Sequence, residues 1–151
     1  MLILMRHGEA VAGGDSDDTR SLTAQGKARL ESLYEQYYDV FKGVERVLCS
    51  PYLRARQSAD VFIGAECELV VDAGLTPCSD VDQALQALEA HWCDNLLVVT
   101  HQPLISRLIS YLEYANYHTS QPVRPGDAFQ FDMPWPAASC AQRLYPDLVL
   151  P

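Results

Sequence analysis

The chain has 151 residues, 48% of them hydrophobic, and a formal net charge of −9. That is enough apolar material for one core without metal or crosslinks, and the wrong sign of charge for nucleic acid or an anionic membrane surface as partner. No apolar run approaches the ~20 residues of a membrane span, and the opening run is too short, with no basic region before it, for a signal peptide.

Met1 to Met5 is an apolar run of strand length and reads as a strand buried on both faces. Arg6, His7, Gly8 and Glu9 follow it with no spacer. Residues 10–20, with Gly13-Gly14 and three aspartates, read as a loop. Thr23 is placed as the N-cap of a helix from about Ala24 to Val40, with Leu30, Leu33, Tyr34, Tyr37 and Tyr38 at helical spacing. Val44 to Cys49 is a second strand. Ser50 as N-cap and Pro51 at the first helical position then start a helix running to about Ile63. Leu69 to Val71 is a short third strand, and Ser79 or Asp80 caps a helix through Leu85, Leu88 and Trp92. Asn95 to Thr100 is a fourth buried strand, ended by His101-Gln102-Pro103; Leu104, Ile105, Leu108, Ile109 and Leu112 form the stripe of the next helix. Tyr114 to Gly126 is a polar loop, Asp127 to Met133 alternates as a strand, and Arg143 to Leu150 is a last edge segment. The five cysteines are scattered without C-x-x-C spacing, which indicates neither a zinc site nor a disulfide framework.

Strands alternating with helices argue for a parallel sheet covered on both faces. In such sheets ligands bind outside the carboxyl ends of the strands. Here three strand ends carry unusual residues: His7 after the first, Ser50 with Arg54 after the second, and His101 after the fourth. Neighbouring strands would bring them to one rim. An acidic chain that gathers Arg6, Arg20 and Arg54 in one place would there bind an anion. Arginine donates bidentately and keeps its charge, which suits a phosphoryl group in transfer. A neutral imidazole at His7 is a competent nucleophile, and His101 could donate to the transferring oxygens or the leaving group.

Arg6-His7-Gly8 after an N-terminal apolar strand resembles the signature of the histidine phosphatase superfamily. Three further segments agree with it: Leu22-Thr23-x-x-Gly26 preceded by Arg20, Ser50-Pro51-x-x-Arg54-Ala55-x-Gln57-Ser58, and Val99-Thr100-His101. The Leu75-Thr76-Pro77-Cys78-x-Asp80 and His101-x-Pro103-Leu104 segments are similar to those of SixA-type phosphohistidine phosphatases. The resemblance implies an α/β fold, a single-domain three-layer α/β/α with a mostly parallel central sheet, phosphoglycerate mutase-like, over residues 1–151. It implies His7 as the phosphorylated nucleophile, with Arg6, Arg54 and His101 as catalytic phosphate-pocket residues and Arg20 as a further phosphate contact. It implies no metal or other cofactor. The implied partner is a histidine-phosphorylated protein domain, either the phosphotransfer domain of a sensor kinase or a phosphocarrier. Neither nucleic acid nor membrane is expected as a partner, and a cytoplasmic monomer is expected.

Two departures from the superfamily pattern stand out. Ser58 occupies the position of a usual threonine. The chain also has little room for the insertion after the third strand in which many superfamily phosphomonoesterases place a carboxylate proton donor; Glu9 and Asp80 are the candidates. A labile P–N bond needs less acid help than an ester, and few residues remain for a lid, so an open, shallow pocket for phosphohistidine on a protein is expected. A small-molecule phosphomonoesterase of the same fold and a non-catalytic phosphohistidine-binding module remain as alternatives, and a metallohydrolase using His7 and His101 is disfavoured by the lack of paired ligands.

Overall fold

Leu2, Ile3, Leu4 and Met5 have no exposed surface, and their place in the sheet accounts for it. The computed structural model describes residues 1–65, 67–117 and 121–150. Its six strands are β1 (Leu2–Arg6), β2 (Arg46–Cys49), β3 (Glu68–Val71), β4 (Leu96–Thr100), β5 (Ala128–Asp132) and β6 (Gln142–Leu148). They lie in the order β3-β2-β4-β1-β5-β6. The first four are mutually parallel, whereas β5 runs antiparallel to β1 and to β6. The helices are α1 (Ala24–Gln36), α2 (Tyr38–Phe41), α3 (Leu53–Ala59), α4 (Val81–Ala90) and α5 (Leu104–Tyr114).

Because side chains alternate along a strand, an unbroken apolar run feeds two cores. Leu2, Leu4, Leu96 and Val98 join Leu88 of α4 and Leu108 and Leu112 of α5 on one face. Ile3, Met5, Leu97 and Val99 join Leu30 and Leu33 of α1, Phe41 of α2 and Ala55 and Ala59 of α3 on the other. The result is the three-layer α/β/α arrangement with a mostly parallel sheet. No helix is long and apolar enough to cross a membrane among the described residues.

Local differences from the sequence reading have local causes. The helix expected from Ala24 to Val40 breaks at Tyr37, whose φ of −113° and ψ of 32° leave the helical region. The Tyr37 hydroxyl donates to Val149 O at 3.1 Å, so a tertiary contact holds that break. The helix expected from Pro51 to Ile63 begins at Leu53 instead and passes into a 3₁₀ turn at Asp60–Phe62. Ser50 is not its cap: Tyr52 is extended and holds that position, and the Leu53 N–H donates to Asp18 O at 2.9 Å. Asp80 rather than Ser79 caps α4, in a reciprocal capping box with Gln83. The segment Tyr114 to Gly126 includes residues 118–120, which lie outside the described residues, as do Glu66 and Pro151.

Register sets where the strands stop. Arg6 pairs with Thr100, and Cys49 with Val99. His7 N–H continues the ladder to Thr100 O at 3.0 Å, and Ser50 N–H to Val99 O at 3.1 Å. Since β4 lies between β1 and β2, the residues that follow these three strands share one rim.

The chain leaving that rim after Gly8 is braced by α1. Thr23 N–H donates to Glu9 O at 2.9 Å, and the Thr23 side chain caps α1 by accepting from Gly26 N at 2.8 Å. A Cβ on Gly26 would lie 2.9 Å from Glu9 N and 3.0 Å from Glu9 C, and closer still to Glu9 O. Gly26 therefore permits a backbone contact rather than an unusual φ. Gly26→Ala is expected to destabilise the protein by about 1–3 kcal/mol through overpacking, measured as a lower urea midpoint at unchanged m-value.

Candidate active site

His7 is 7% exposed, at the end of β1. Its Nδ1–H donates to Gly8 O at 2.7 Å, because a carbonyl can only accept. The lone pair is therefore on Nε2, where Arg54 Nε–H donates to it at 3.2 Å. Burial pushes the His7 pKa down to about 4, with Arg54, Arg6 and Arg20 adding to the effect and the Gly8 carbonyl opposing it. The ring is neutral near pH 7 and presents one unprotonated nitrogen.

His101 follows β4 and is 1% exposed; its ring centre is 4.8 Å from that of His7. Burial, then the neighbouring His7 and Arg54, push its pKa down to about 2. Both its ring nitrogens lack a hydrogen-bond partner among the described residues. Two buried nitrogens without partners are costly unless a ligand supplies them. The Nε of Arg6 is in the same condition, while its Nη1 donates to Val123 O at 2.7 Å. Burial lowers the Arg6 pKa, opposed by Asp127.

Arg54, 4% exposed, lies in the first turn of α3. Beyond His7 it donates through Nη1 to Asp17 O and through Nη2 to Asp17 Oδ2 at 3.0 Å, and it stacks over the Tyr52 ring at 4.9 Å. Tyr52 also meets the His101 ring edge-on at 5.1 Å. Ser58 ties the two halves together: its hydroxyl accepts from Gly8 N–H at 3.0 Å and donates to Arg54 O at 2.6 Å. Serine suffices at this position because the hydroxyl makes both contacts.

The structure thus brings His7, Arg6, Arg54 and His101 together. Arg20 reaches them indirectly: its Nε donates to Val11 O at 2.8 Å and its Nη1 to Asp17 Oδ1 at 2.8 Å, and its charge is felt at His7. Glu9 and Asp80 are engaged elsewhere. The Glu9 carboxylate accepts from the Thr23 hydroxyl at 3.4 Å, and the Asp80 carboxylate from Gln83 N–H at 2.8 Å as the α4 cap. Both histidines are buried, His101 against Tyr52 and His7 against Arg54, which in turn pairs with the half-exposed Asp17. A cavity of about 820 Å³ lies beside this site, lined by Asp80, Gln102, Arg107 and Tyr117 among others. Sequence reasoning missed Asp17 and Tyr52. Asp17 stands three residues before Arg20, a usable pairing signal, but in a loop with three aspartates nothing distinguished it. Among the described residues no group of three or more His, Cys, Asp or Glu side chains is arranged to hold a metal ion.

A neutral imidazole under an arginine, with a further arginine and imidazole around it, is an arrangement suited to phosphoryl transfer and matches the histidine phosphatase class. The chain belongs to the histidine phosphatase superfamily (branch 1), whose family model matches residues 2–79. Within that superfamily it is of the SixA phosphohistidine phosphatase type. It is 35% identical over 121 residues to the phosphohistidine phosphatase SixA of Escherichia coli (strain K12), covering 74% of this chain and 73% of the relative. It is 30% identical over 124 residues to a SixA homolog of Haemophilus influenzae, covering 74% and 76%. The fold matches that of the protein histidine phosphatase SixA complexed with tungstate, with a TM-score of 0.78 and 27% identity over 95% of this chain and 94% of that one.

Two outcomes test the site. Folded pKa values below the ordinary histidine value mean that the unfolded chain binds more protons, so stability from these groups is complete above about pH 6.5. It is lost as pH falls from there towards about 4 for His7 and about 2 for His101. Accordingly, NMR titration of the free protein should show neither imidazole titrating near 6.5. Ser58→Ala leaves the Gly8 N–H buried without its acceptor and should cost about 1–3 kcal/mol in chemical denaturation, whereas Ser58→Thr should cost less.

Proposed function

We propose that the protein dephosphorylates phosphohistidine on another protein, through a phosphorylated intermediate on His7 Nε2. The observation that carries this reading is the tautomer: Nδ1–H is committed to Gly8 O, and Nε2 faces Arg54. The Nε2 lone pair forms the new P–N bond while the P–N bond of the substrate breaks. A substrate ring protonated at its distal nitrogen leaves as neutral imidazole, its bonding pair on nitrogen, with no acid needed at the departing atom. Phosphorylated His7 is then an imidazolium whose Nδ1–H remains on Gly8 O. Water attacks phosphorus, the P–N pair returns to Nε2, and inorganic phosphate leaves after losing the water proton to solvent.

Arg54 and Arg6 offset the charge on the equatorial oxygens, with Arg20 as a further contact. A bound dianion reverses the cationic field at His101, raising its pKa and letting it donate to the phosphoryl group. Substrate choice is supported by the short connection from β3 to α4, residues 72–80, which offers only Asp72 and Asp80 as acids. Asp72 accepts from Gly74 N–H at 2.7 Å and Asp80 caps α4. A carboxylate donor, the usual help for an alkoxide leaving group, is not in contact with the histidines there. The relatives named for phosphohistidine support the same substrate class. The proposed partner is a phosphotransfer domain of a sensor kinase or a phosphocarrier, in a cytoplasmic phosphorelay.

A panel of 32P-labelled histidine-phosphorylated domains tests this. Label should pass to the wild type and be absent from His7→Ala, and alkyl phosphate esters should be turned over slower by about 10²–10⁴-fold, the range a general acid contributes. Comparable ester turnover, or label retained in His7→Ala, would overturn the reading. Arg54→Ala should lose about 10²–10³ in kcat, as removal of one preorganised donor does.

A further inference from the structure

Every nitrogen of Arg54 already has a hydrogen-bond partner. Nε serves His7, Nη1 serves the Asp17 carbonyl and Nη2 serves the Asp17 carboxylate at 3.0 Å. The other Asp17 oxygen accepts from Arg20 Nη1 at 2.8 Å. One carboxylate thus bridges two of the arginines assigned above to the phosphoryl group, one oxygen on each, as two oxygens of a phosphoryl group could. A phosphoryl oxygen that takes the Nη2 position of Arg54 must displace that carboxylate.

Which partner yields is decided by burial. The Arg54 side chain is 5% exposed and braced by Tyr52 and His7, whereas that of Asp17 is 54% exposed. The loop backbone is anchored next door, where Asp18 O accepts from Leu53 N–H at 2.9 Å. The Asp17 side chain can therefore swing into water while the loop stays in place.

We propose that Asp17 is an anionic placeholder, whose carboxylate holds Arg54 and Arg20 in the empty site and is exchanged for phosphoryl oxygens on binding. Asp17 thereby weakens oxyanion binding and sets the affinity of the site for phosphate, including the inorganic product. Two arginines near a buried neutral imidazole repel one another, and a fixed carboxylate offsets that repulsion until substrate arrives. The exchange also returns the exposed carboxylate to full hydration, so its net cost to the substrate is small. The inference rests on the reading of this pocket as a phosphoryl site.

Isothermal titration with sodium tungstate at constant ionic strength tests it. Asp17→Ala should bind tungstate about two- to fivefold more tightly than wild type, the scale of an exposed ion pair. Asp17→Asn, which keeps shape and loses charge, should shift the same way and guards against disturbance of the loop by alanine. Equal or weaker binding in both variants would overturn the placeholder role and make Asp17 a positioning residue for Arg54. Absence of tungstate binding in wild type and both variants would instead overturn the phosphoryl-site reading, and this inference with it.

Discussion

The hydrogen bond from His7 Nδ1 to the Gly8 carbonyl decides which nitrogen of the imidazole carries its lone pair, and the rest of the site is arranged around that choice. With Nδ1 committed, Nε2 is an acceptor in a cationic surrounding, and Arg54 Nε occupies it. Burial and three arginines keep the ring neutral. A protonated His7 would have no lone pair and would sit unpaired against Arg54 and Arg6. The same features that disfavour its charge therefore keep a lone pair on its Nε2, as the proposed nucleophilic role requires. Ser58 fixes the Gly8 N–H while its carbonyl turns to the ring, and glycine fits there because a Cβ would lie 2.9 Å from Leu30 Cδ1.

The sheet order makes that hydrogen bond useful. Parallel strands end at the same level only if their register agrees, and the pairs Arg6–Thr100 and Cys49–Val99 make β1, β4 and β2 stop together. With β4 in the middle, His101 is delivered beside His7 by two adjacent strand ends, and Arg54 arrives from the helix after β2. Gly26 and Thr23 hold the exit of the chain from the rim, so contacts at the start of α1 steady Glu9, two positions from His7.

Most of this frame was legible in the sequence because it is written in apolar runs and strand-terminal residues. Three of the four parallel strands, β1, β2 and β4, are buried, and their apolar runs have no other economical reading. What escaped was decided by tertiary contact. Tyr37 interrupts a well-patterned helix because its hydroxyl meets Val149 O. Ser50-Pro51 has the composition of a helix start, yet the first helical N–H is taken by Asp18 O from a distant loop. Asp80 looked like a candidate acid and serves as a cap, because a carboxylate three residues before Gln83 at a helix N-terminus satisfies backbone groups that would otherwise be unpaired. Asp17 was hidden by its neighbours Asp15 and Asp18, which share its composition but not its partners.

The covering of the histidines bears on how such a site discriminates. An open pocket would leave His7 hydrated and its pKa near the ordinary value, and part of its population protonated in mildly acidic conditions. Here Arg54 sits on Nε2 of the ring and Tyr52 lies against the neighbouring His101, so both imidazoles are largely desolvated before substrate arrives. The carboxylate most directly in contact with the arginines is also held in its ionised form, its pKa lowered by hydrogen bonds from Arg20 and Arg54 despite partial desolvation. An ionised carboxylate cannot protonate a leaving alkoxide. In the unliganded site the nearby acids are thus an ionised aspartate and carboxylates engaged in a cap and a turn, which fits the proposed substrate class, whose imidazole leaving group departs without a proton from the enzyme.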